Sequence, residues 1–364
     1  MEKKVGVILI NYKDYAKRFL EPCRDSLRRQ SYSQDNFLVY IIDNASSDES
    51  LNYLNNVYPE AKVIPRSDGN YSAAGNLGFK IALENGCDFI VSANMDTEME
   101  SDWLKELVLA LEKNQQAGIA QSKILLYPKN DAERDNPKIN SLGNVIHFLG
   151  FGFTSSYNEN DKEASGIEAY PEIKGYASGC SFIIRKEVLL ALDCDRDNKY
   201  YNEEYYMYHD DLELSLKTKL AGYKIILAPL SRIFHKYEFS RSTKMIYFME
   251  RNRYLTLFIF YPRFFLFLIF LPLFAFDLAF LFYSLLGGWF KEEMKIYKYF
   301  LKTDSYNKLF VARDKVKKIS RVSFKDLARD FSGKIEFQEI ANPLLDYLVN
   351  PLINWYWRLI KKII

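Results

Sequence analysis

The sequence predicts an α/β fold with a largely parallel sheet, followed by a helical C-terminal region. Short apolar runs alternate with helix-compatible stretches over the first 100 residues, and each run ends in polar residues. Strands that alternate with helices favour a parallel sheet. The composition changes near residue 264, where a nearly continuous apolar block begins. The 364 residues allow one domain of about 250 residues plus that C-terminal region.

Four apolar runs predict the strands of the first half. They cover residues 5–10, 38–42, 61–65 and 89–93, and polar residues follow each of them. The polar residues should therefore converge on one edge of the sheet, where open α/β sheets bind their ligands. The glycine-rich residues 69–78 follow the third run and match neither a dinucleotide fingerprint nor a Walker motif. Those glycines permit either close helix packing or the approach of a phosphate.

An acidic pair, Asp210 and Asp211, precedes Leu212, Leu216 and Leu220, whose spacing predicts a helix. The pair then lies in or before the first turn, where free backbone N–H groups favour ionised carboxylates. One interpretation is an ordinary helix cap. The other is a general base that accepts a proton from a substrate hydroxyl.

A second acidic site, Asp96, follows the strand predicted at residues 89–93. Mg²⁺ prefers one or two carboxylates together with phosphate oxygens, so Asp96 is a candidate ligand for a cation that binds a diphosphate. A strand-end aspartate can equally serve as a turn residue or as a helix cap. The next helix is predicted to begin near Asp102 and Trp103.

These motifs together resemble family 2 glycosyltransferases, and in particular the bacterial rhamnosyltransferase-like branch. The matching segments are residues 43–48, 70–78, 94–96, 208–217, 221–224, 229, 235–237 and 251–253. The resemblance covers roughly residues 4 to 290. It implies a GT-A fold, with a Rossmann-like nucleotide-binding half in residues 1–100 and an acceptor half in residues 101–250 around one mixed sheet. Residues 251–364 would form a helical, membrane-associating region.

The resemblance also implies which residues bind a nucleotide-diphosphate sugar donor. Asp43 would contact the nucleobase or ribose, and Asn11 and Asn70 would line the same pocket. Asn76 and Asn94 are further candidates for donor binding.

The remaining site residues follow from the same resemblance. Asp96 matches the last aspartate of the D-x-D motif, and His235 matches a histidine that in some members completes the coordination of Mg²⁺ or Mn²⁺. Asp211 matches the general base, and Asp210 stands where the family has glutamate. The D-x-D motif reads Asn94-Met95-Asp96 here, so one carboxylate remains.

The C-terminal region predicts an association with a membrane. Residues 264–286 are long enough to cross a bilayer, which takes about 20 residues, yet Pro272 and Asp277 equally suit a segment lying in one leaflet. Residues 291–364 carry 16 Lys and Arg against 9 Asp and Glu, a net charge of +7. The alternative interpretation is a buried core helix beside a solvated basic face. No nucleic-acid-binding motif is present, and we expect no nucleic-acid partner.

The cysteines show no C-x-x-C spacing and indicate a reducing compartment. The resemblance implies an inverting, metal-dependent glycosyltransferase, and we expect it at the cytoplasmic face of the cell membrane. Its donor would be dTDP-rhamnose or a UDP-sugar, and its acceptor a hydroxyl of a lipid-linked or cell-surface polysaccharide. The alternatives are a non-catalytic scaffold subunit of a membrane glycan assembly and a sugar nucleotidyltransferase, and a homo-oligomer stays open.

Overall fold

A computed structural model describes residues 3–161, 169–236, 243–336 and 343–364, without the side chains of residues 243 and 244. Tyr237 of the matching segment at residues 235–237 therefore lies outside the described residues.

The strands occupy the first two thirds of the chain. They are β1 (Val5–Asn11), β2 (Phe37–Asp43), β3 (Lys62–Pro65), β4 (Phe89–Ala93), β5 (Thr97–Met99), β6 (Ala117–Leu126), β7 (Ile139–Ser141), β8 (Asn144–Ile146), β9 (Gly152–Thr154), β10 (Ser181–Arg185) and β11 (Lys224–His235).

The helices alternate with these strands and then form the C-terminal region. They are α1 (Tyr15–Arg28), α2 (Asp48–Val57), α3 (Tyr71–Glu84), α4 (Trp103–Lys113), α5 (Asp131–Asp135), α6 (Lys186–Leu192), α7 (Asp210–Leu220), α8 (Thr243–Phe260), α9 (Arg263–Leu286), α10 (Phe290–Phe300), α11 (Thr303–Ile319), α12 (Phe324–Ala328) and α13 (Asn350–Ile363).

One mixed sheet organises the molecule, in the order β3-β2-β1-β4-β10-β6-β11-β5 with β7 beside β6. β1, β2, β3 and β4 are parallel, whereas β10 runs antiparallel to both of its neighbours. The prediction that the strands of the first half of the sheet are parallel is confirmed. The carboxyl ends of β1, β2 and β4 therefore lie side by side, with Asn11 paired in register with Asp43.

Helices cover both faces of the sheet because its strands alternate their side chains between two apolar cores. Val7 and Leu9 of β1 face the core formed with α1 and α4, whereas Ile8 faces the core formed with α3 and α6. Glycine allows α3 to approach closely: a Cβ at Gly75 would lie 2.6 Å from the ring of Tyr201. At this position the glycine serves helix packing.

The C-terminal helices share a third core with α7. Leu212, Leu216 and Leu220 of α7 are buried against residues of α8, α11, α12 and α13, among them Leu257 and Trp357. The domain boundary expected between residues 250 and 251 lies inside α8. The helical region is therefore packed on the helix that carries the acidic pair.

Helix α9 contains the long apolar block predicted near residue 264. Within the described ranges it is the helix long and apolar enough to cross a membrane by length and composition. Its buried residues are Phe265, Ile269 and Ser284, so the alternative of a buried core helix does not hold. The four cysteines are free thiols, three of them buried.

Candidate active site

Asn11 and Asp43 meet at the carboxyl ends of β1 and β2. Asn11 Nδ2 donates to Asp43 Oδ1 at 2.8 Å, and Ser50 Oγ donates to Asp43 Oδ2 at 2.5 Å. Asp43 is fully buried, with both carboxylate oxygens engaged. The pair lies at the predicted edge of the sheet. It connects β1 to β2, and the Ser50 hydrogen bond connects β2 to the start of α2. Because Asp43 exposes no surface in this conformation, its contact with a nucleotide stays a prediction.

Asn70 and Asn76 connect α3 to the loop before α7. Asn70 Oδ1 caps α3 by accepting from the Ala73 N–H at 3.1 Å, and its Nδ2 donates to the Glu203 carbonyl at 3.0 Å. Asn76 is buried, and its amide both accepts from and donates to the backbone of Tyr201. These contacts give Asn76 a structural role, and its contact with the nucleotide-sugar donor stays a prediction.

Asp96 and His235, which lie 139 positions apart in the chain, meet at one edge of the sheet. His235 Nε2 lies 3.3 Å from Asp96 Oδ2, and both side chains are about nine-tenths buried. His235 Nδ1 contacts Asn140 Oδ1 at 3.2 Å. Burial lowers the pKa of His235, but Cys180 and Asp96 outweigh it and raise that pKa to about 10.

The donor set fits a hard divalent cation that also binds phosphate. Asp96 Oδ1 is buried and has no hydrogen-bond partner among the described residues, which leaves one carboxylate oxygen available. The described part of the chain holds no group of three or more His, Cys, Asp or Glu side chains that could hold a metal ion. A cation here would take as ligands Asp96 and, after displacing its proton, His235, and it would need further oxygens from a ligand such as a diphosphate. Asn94 donates its backbone N–H to the Cys180 carbonyl at 2.9 Å.

The acidic pair opens α7, as predicted. Asp211 Oδ2 accepts from the Gly179 N–H at 2.9 Å, and Oδ1 accepts from the Leu212 N–H at 2.8 Å. Burial raises the pKa of Asp211 above the ordinary aspartate range, although these N–H groups oppose the rise. Burial and the neighbouring Asp211 raise the pKa of Asp210 as well.

Consecutive residues of one turn contact both acidic sites. The Gly179 N–H donates to the Asp211 carboxylate. The Cys180 side chain contacts the His235 ring, and the Cys180 carbonyl accepts from the Asn94 N–H. A Cβ at Gly179 would lie only 3.3 Å from Asp211 Cβ, so glycine permits this close approach. The turn before β10 therefore brings the general-base candidate and the metal candidates into one site.

Tyr71 is a further candidate for the site, and the sequence analysis did not identify it. Burial and the charges of Asp210, Asp211 and Asp96 raise the pKa of its hydroxyl, which places the ring within electrostatic reach of both acidic sites. Its position directly after Asn70 in the matched segment was the available signal.

The loop before the acidic pair has an unusual backbone. Tyr206, Tyr208 and His209 have φ values of 65°, 65° and 61°, in the left-handed region that residues other than glycine rarely adopt. Conformations of this kind persist only where the surrounding structure holds them.

Asn252 of α8 supplies that support. Its side chain is fully buried, and Nδ2 lies 2.9, 2.7 and 2.8 Å from the carbonyl oxygens of Tyr205, Met207 and Tyr208. Arg251 donates to the carbonyls of Glu204 and Tyr205 at 2.6 and 2.9 Å. The sequence marked residues 251–253 only as part of the resemblance, and their contact with this loop was not foreseen.

Residues 6–192, just over half of the chain, match the model of the family described as Glycosyl transferase family 2. The chain belongs to this family. No curated protein sequence matches it. The site residues Asn11, Asp43, Asp96 and Cys180 lie inside the matched segment, whereas Asp211 and His235 follow it.

Solved structures share the fold of this family 2 member at low sequence identity. The crystal structure of GalNAc-T7 with UDP, GalNAc and Mn²⁺ aligns at 14% identity and a TM-score of 0.53, over 72% of this chain and 48% of its own. This likeness shows a GT-A-like α/β fold with a mixed central sheet.

Two further structures also align at 14% identity. TarS of S. aureus has a TM-score of 0.49 and covers 99% of this chain and 55% of its own. The mannosyltransferase PcManGT from Pyrobaculum calidifontis, in complex with GDP-Man and Mn²⁺, has a TM-score of 0.45 and covers 71% and 64%. This chain thus spans roughly half to two thirds of the length of these proteins.

Proposed function

We propose that this protein is an inverting glycosyltransferase that moves a sugar from a nucleotide-diphosphate donor to an acceptor hydroxyl. The observation that carries the proposal is the turn in which Gly179 contacts Asp211 and Cys180 contacts His235. It places a carboxylate suited to accept a proton next to a pair suited to hold a cation. Membership of family 2 supports the same reaction class.

In this mechanism Asp211 is the general base. The acceptor hydroxyl attacks the anomeric carbon, its proton passes to Asp211, and the bond from that carbon to the diphosphate oxygen breaks. Two backbone N–H groups orient the Asp211 carboxylate, and its raised pKa makes it a stronger base than an exposed aspartate. The buried Asp210 beside it supports the pocket.

Asp96 and His235 would hold Mg²⁺ or Mn²⁺. The unpartnered Asp96 Oδ1 is the free ligand atom on the protein side. When bound, the cation supplies Lewis-acid stabilisation of the charge that develops on the departing diphosphate. GalNAc-T7, which shares the fold, was crystallised with UDP, GalNAc and Mn²⁺, and this supports a nucleotide-sugar donor and a divalent cation here.

The proposed donor and acceptor are supported by the resemblance to the rhamnosyltransferase-like motifs. The proposed membrane location is supported by the C-terminal helices. We infer a donor that is dTDP-rhamnose or a UDP-sugar, with Asn11, Asp43, Asn70 and Asn94 near the nucleotide. The acceptor is a lipid-linked or cell-surface polysaccharide, and the enzyme works at the cytoplasmic face of the membrane.

Removing either metal ligand should weaken donor binding through the cation. We expect Asp96→Ala and His235→Ala each to lower the affinity for a nucleotide diphosphate at least about tenfold in the presence of Mn²⁺, since even outer-shell partners of a metal site contribute about 10–100-fold. The double variant should lose no more affinity than either single variant, because both residues contact one cation. Isothermal calorimetry with and without a chelator measures this directly.

Asp35→Ala is the matched control, because it removes an exposed carboxylate away from the site. Equal affinity of the wild type with the cation and with the chelator would contradict the metal role.

A panel of nucleotide sugars, assayed for hydrolysis without acceptor, tests the reaction itself. Donor binding without hydrolysis or transfer for any donor would favour the non-catalytic scaffold subunit, to which the single carboxylate of Asn94-Met95-Asp96 also points.

A further inference from the structure

Helix α9 has an outer face that is apolar along its whole length. Six large side chains at spacings of three or four residues are 49–76% exposed: Phe264, Phe267, Leu271, Phe274, Leu278 and Phe282. The helix contains one basic residue, Arg263 at its start, and one acidic residue, Asp277. A contiguous exposed surface of this kind marks an interaction site.

The opposite face of α9 contacts the protein between Phe265 and Phe280. Near its start, Phe265 packs against Trp357 of α13, with ring centroids 5.9 Å apart, and Phe276 packs against Phe151 at 4.7 Å. Near its end, Phe280 packs against Trp289 at 4.7 Å. From Phe265 to Phe280 this is about 22 Å of helix, at about 1.5 Å per residue.

A buried ion pair fixes the middle of α9 to the protein. Asp277 Oδ1 lies 3.0 Å from Arg253 Nη2, and Arg253 is 1% exposed and also contacts Glu250 at 2.9 Å. Pulling α9 away would leave the Arg253 guanidinium without one of its two carboxylates in a buried setting, which is strongly unfavourable. A helix held in this way along the protein body cannot stand upright across a bilayer by itself.

Helix α13 extends the apolar surface next to α9. Leu352, Trp355, Leu359 and Ile363 are exposed at helical spacing, while Trp357 is buried. The Tyr356 hydroxyl donates to the Leu268 carbonyl of α9 at 2.7 Å, so the two helices are direct neighbours.

The charges beside this surface are basic. α13 carries Arg358, Lys361 and Lys362 and no acidic residue, and Arg263 is exposed at the start of α9. Apolar and aromatic side chains flanked by Lys and Arg are typical of segments that lie in the headgroup region of anionic membranes. A second copy of the chain would bring these like charges towards each other, which disfavours a symmetric dimer on the same face.

We infer that the outer faces of α9 and α13 form one surface that lies flat in the interfacial layer of an anionic lipid bilayer, with α9 parallel to the membrane plane. This surface binds the lipid bilayer itself. The inference gives a geometry to the membrane location proposed above, and it does not depend on glycosyl transfer.

Vesicle flotation tests the surface with the full-length protein. We expect binding to vesicles of phosphatidylcholine and phosphatidylglycerol, and at least about tenfold weaker partitioning after the double change Phe267→Ser and Phe274→Ser. Changing Arg358→Gln and Lys362→Gln should also weaken binding, and only to anionic vesicles at low salt. The control is Leu190→Ser with Leu230→Ser, which removes two side chains 61% and 67% exposed elsewhere on the protein.

The depth of α9 in the bilayer reports its orientation relative to the membrane plane. Fluorophores are placed on one introduced cysteine at a time, Phe264→Cys, Phe274→Cys or Leu286→Cys, in a Cys194→Ser background whose three remaining cysteines are buried. Lipids that carry quenchers at known positions then report the depth of each fluorophore. Equal, shallow depths are expected at all three sites. A deep middle site between shallow ends overturns the inference, because it indicates a spanning helix.

Two other results also overturn the inference. One is full-length protein that stays at the bottom of the gradient. The other is a soluble dimer, seen by light scattering, that dissociates on Phe267→Ser with Phe274→Ser, because it assigns the surface to a second copy. Donor hydrolysis by the same variants is measured separately, so unchanged lipid binding with intact hydrolysis rejects the surface alone and leaves the proposed function standing.

Discussion

Replacing Asp211 by Asn should lower the rate of sugar transfer about 10²–10⁴-fold, the usual contribution of a general base. Donor affinity should stay within a few-fold, because Asp211 contacts Gly179 and Leu212 and not the residues expected to hold the diphosphate. Asparagine keeps one oxygen that can accept from the Gly179 N–H, so the turn before β10 should keep its place. Single-turnover kinetics with a saturating donor separates the chemical step from binding.

The pH profile of the wild type gives an independent check on Asp211. Burial raises the pKa of the Asp211 carboxyl, and a base acts only when deprotonated, so activity should increase with pH through a value above the ordinary aspartate range. The Asp211→Asn variant should lose this acidic limb. Near-normal turnover in that variant would falsify the assignment, and so would a loss of activity matched by an equal loss of donor affinity.

The local parts of this fold could be predicted from the sequence. The strand at residues 89–93 is fully buried in the sheet, and such strands are recognisable as continuous apolar runs. Helix α7 begins at Asp210, where the leucine spacing and the acidic first turn place it. Polar residues after parallel strands converge by geometry, so the meeting of Asn11 and Asp43 also followed from the sequence.

The long-range parts could not be predicted from local patterns. The Asp96–His235 contact joins the turn between β4 and β5 to the end of β11, far apart in the chain, and only the family resemblance suggested it. The two roles of the turn at Gly179 and Cys180 depend on how β10 enters the sheet between β4 and β6. The hydrogen bonds between the Asn76 amide and the backbone of Tyr201 are likewise indicated by no local pattern.

The division of the chain into domains also depends on packing. The change in composition near residue 264 correctly marked the start of α9, but α8 and α9 are held together by the Arg253–Asp277 pair. The shared core with α7 means that removing the C-terminal helices would expose Leu212 and Leu216 beside the acidic pair. The helical region is therefore part of the scaffold of the site.

Replacing Asn252 by Leu should lower kcat about 10²-fold, because Asn252 positions the loop that leads into the acidic pair. Leucine has a similar volume but removes the Asn252 donor from the carbonyls of Met207 and Tyr208, whereas Arg251 still donates to Tyr205. Each buried unpaired group costs about 1–3 kcal/mol. The left-handed residues of the loop should then relax and shift Asp210 and Asp211. A displacement of about 1 Å at a reacting group can reduce the rate about 10²-fold.

Thr256→Val is the matched control, one turn further along α8. Thr256 is fully buried and its hydroxyl contacts Tyr205 Oη at 3.0 Å, so this change removes a buried hydrogen bond without touching the carbonyls of the loop. Both variants should lose thermal stability, but only Asn252→Leu should lower kcat and move the acidic limb of the pH profile, with the donor KM changed little. If both variants lose stability and keep the wild-type kcat and pH profile, Asn252 supports the fold and has no role in positioning Asp211.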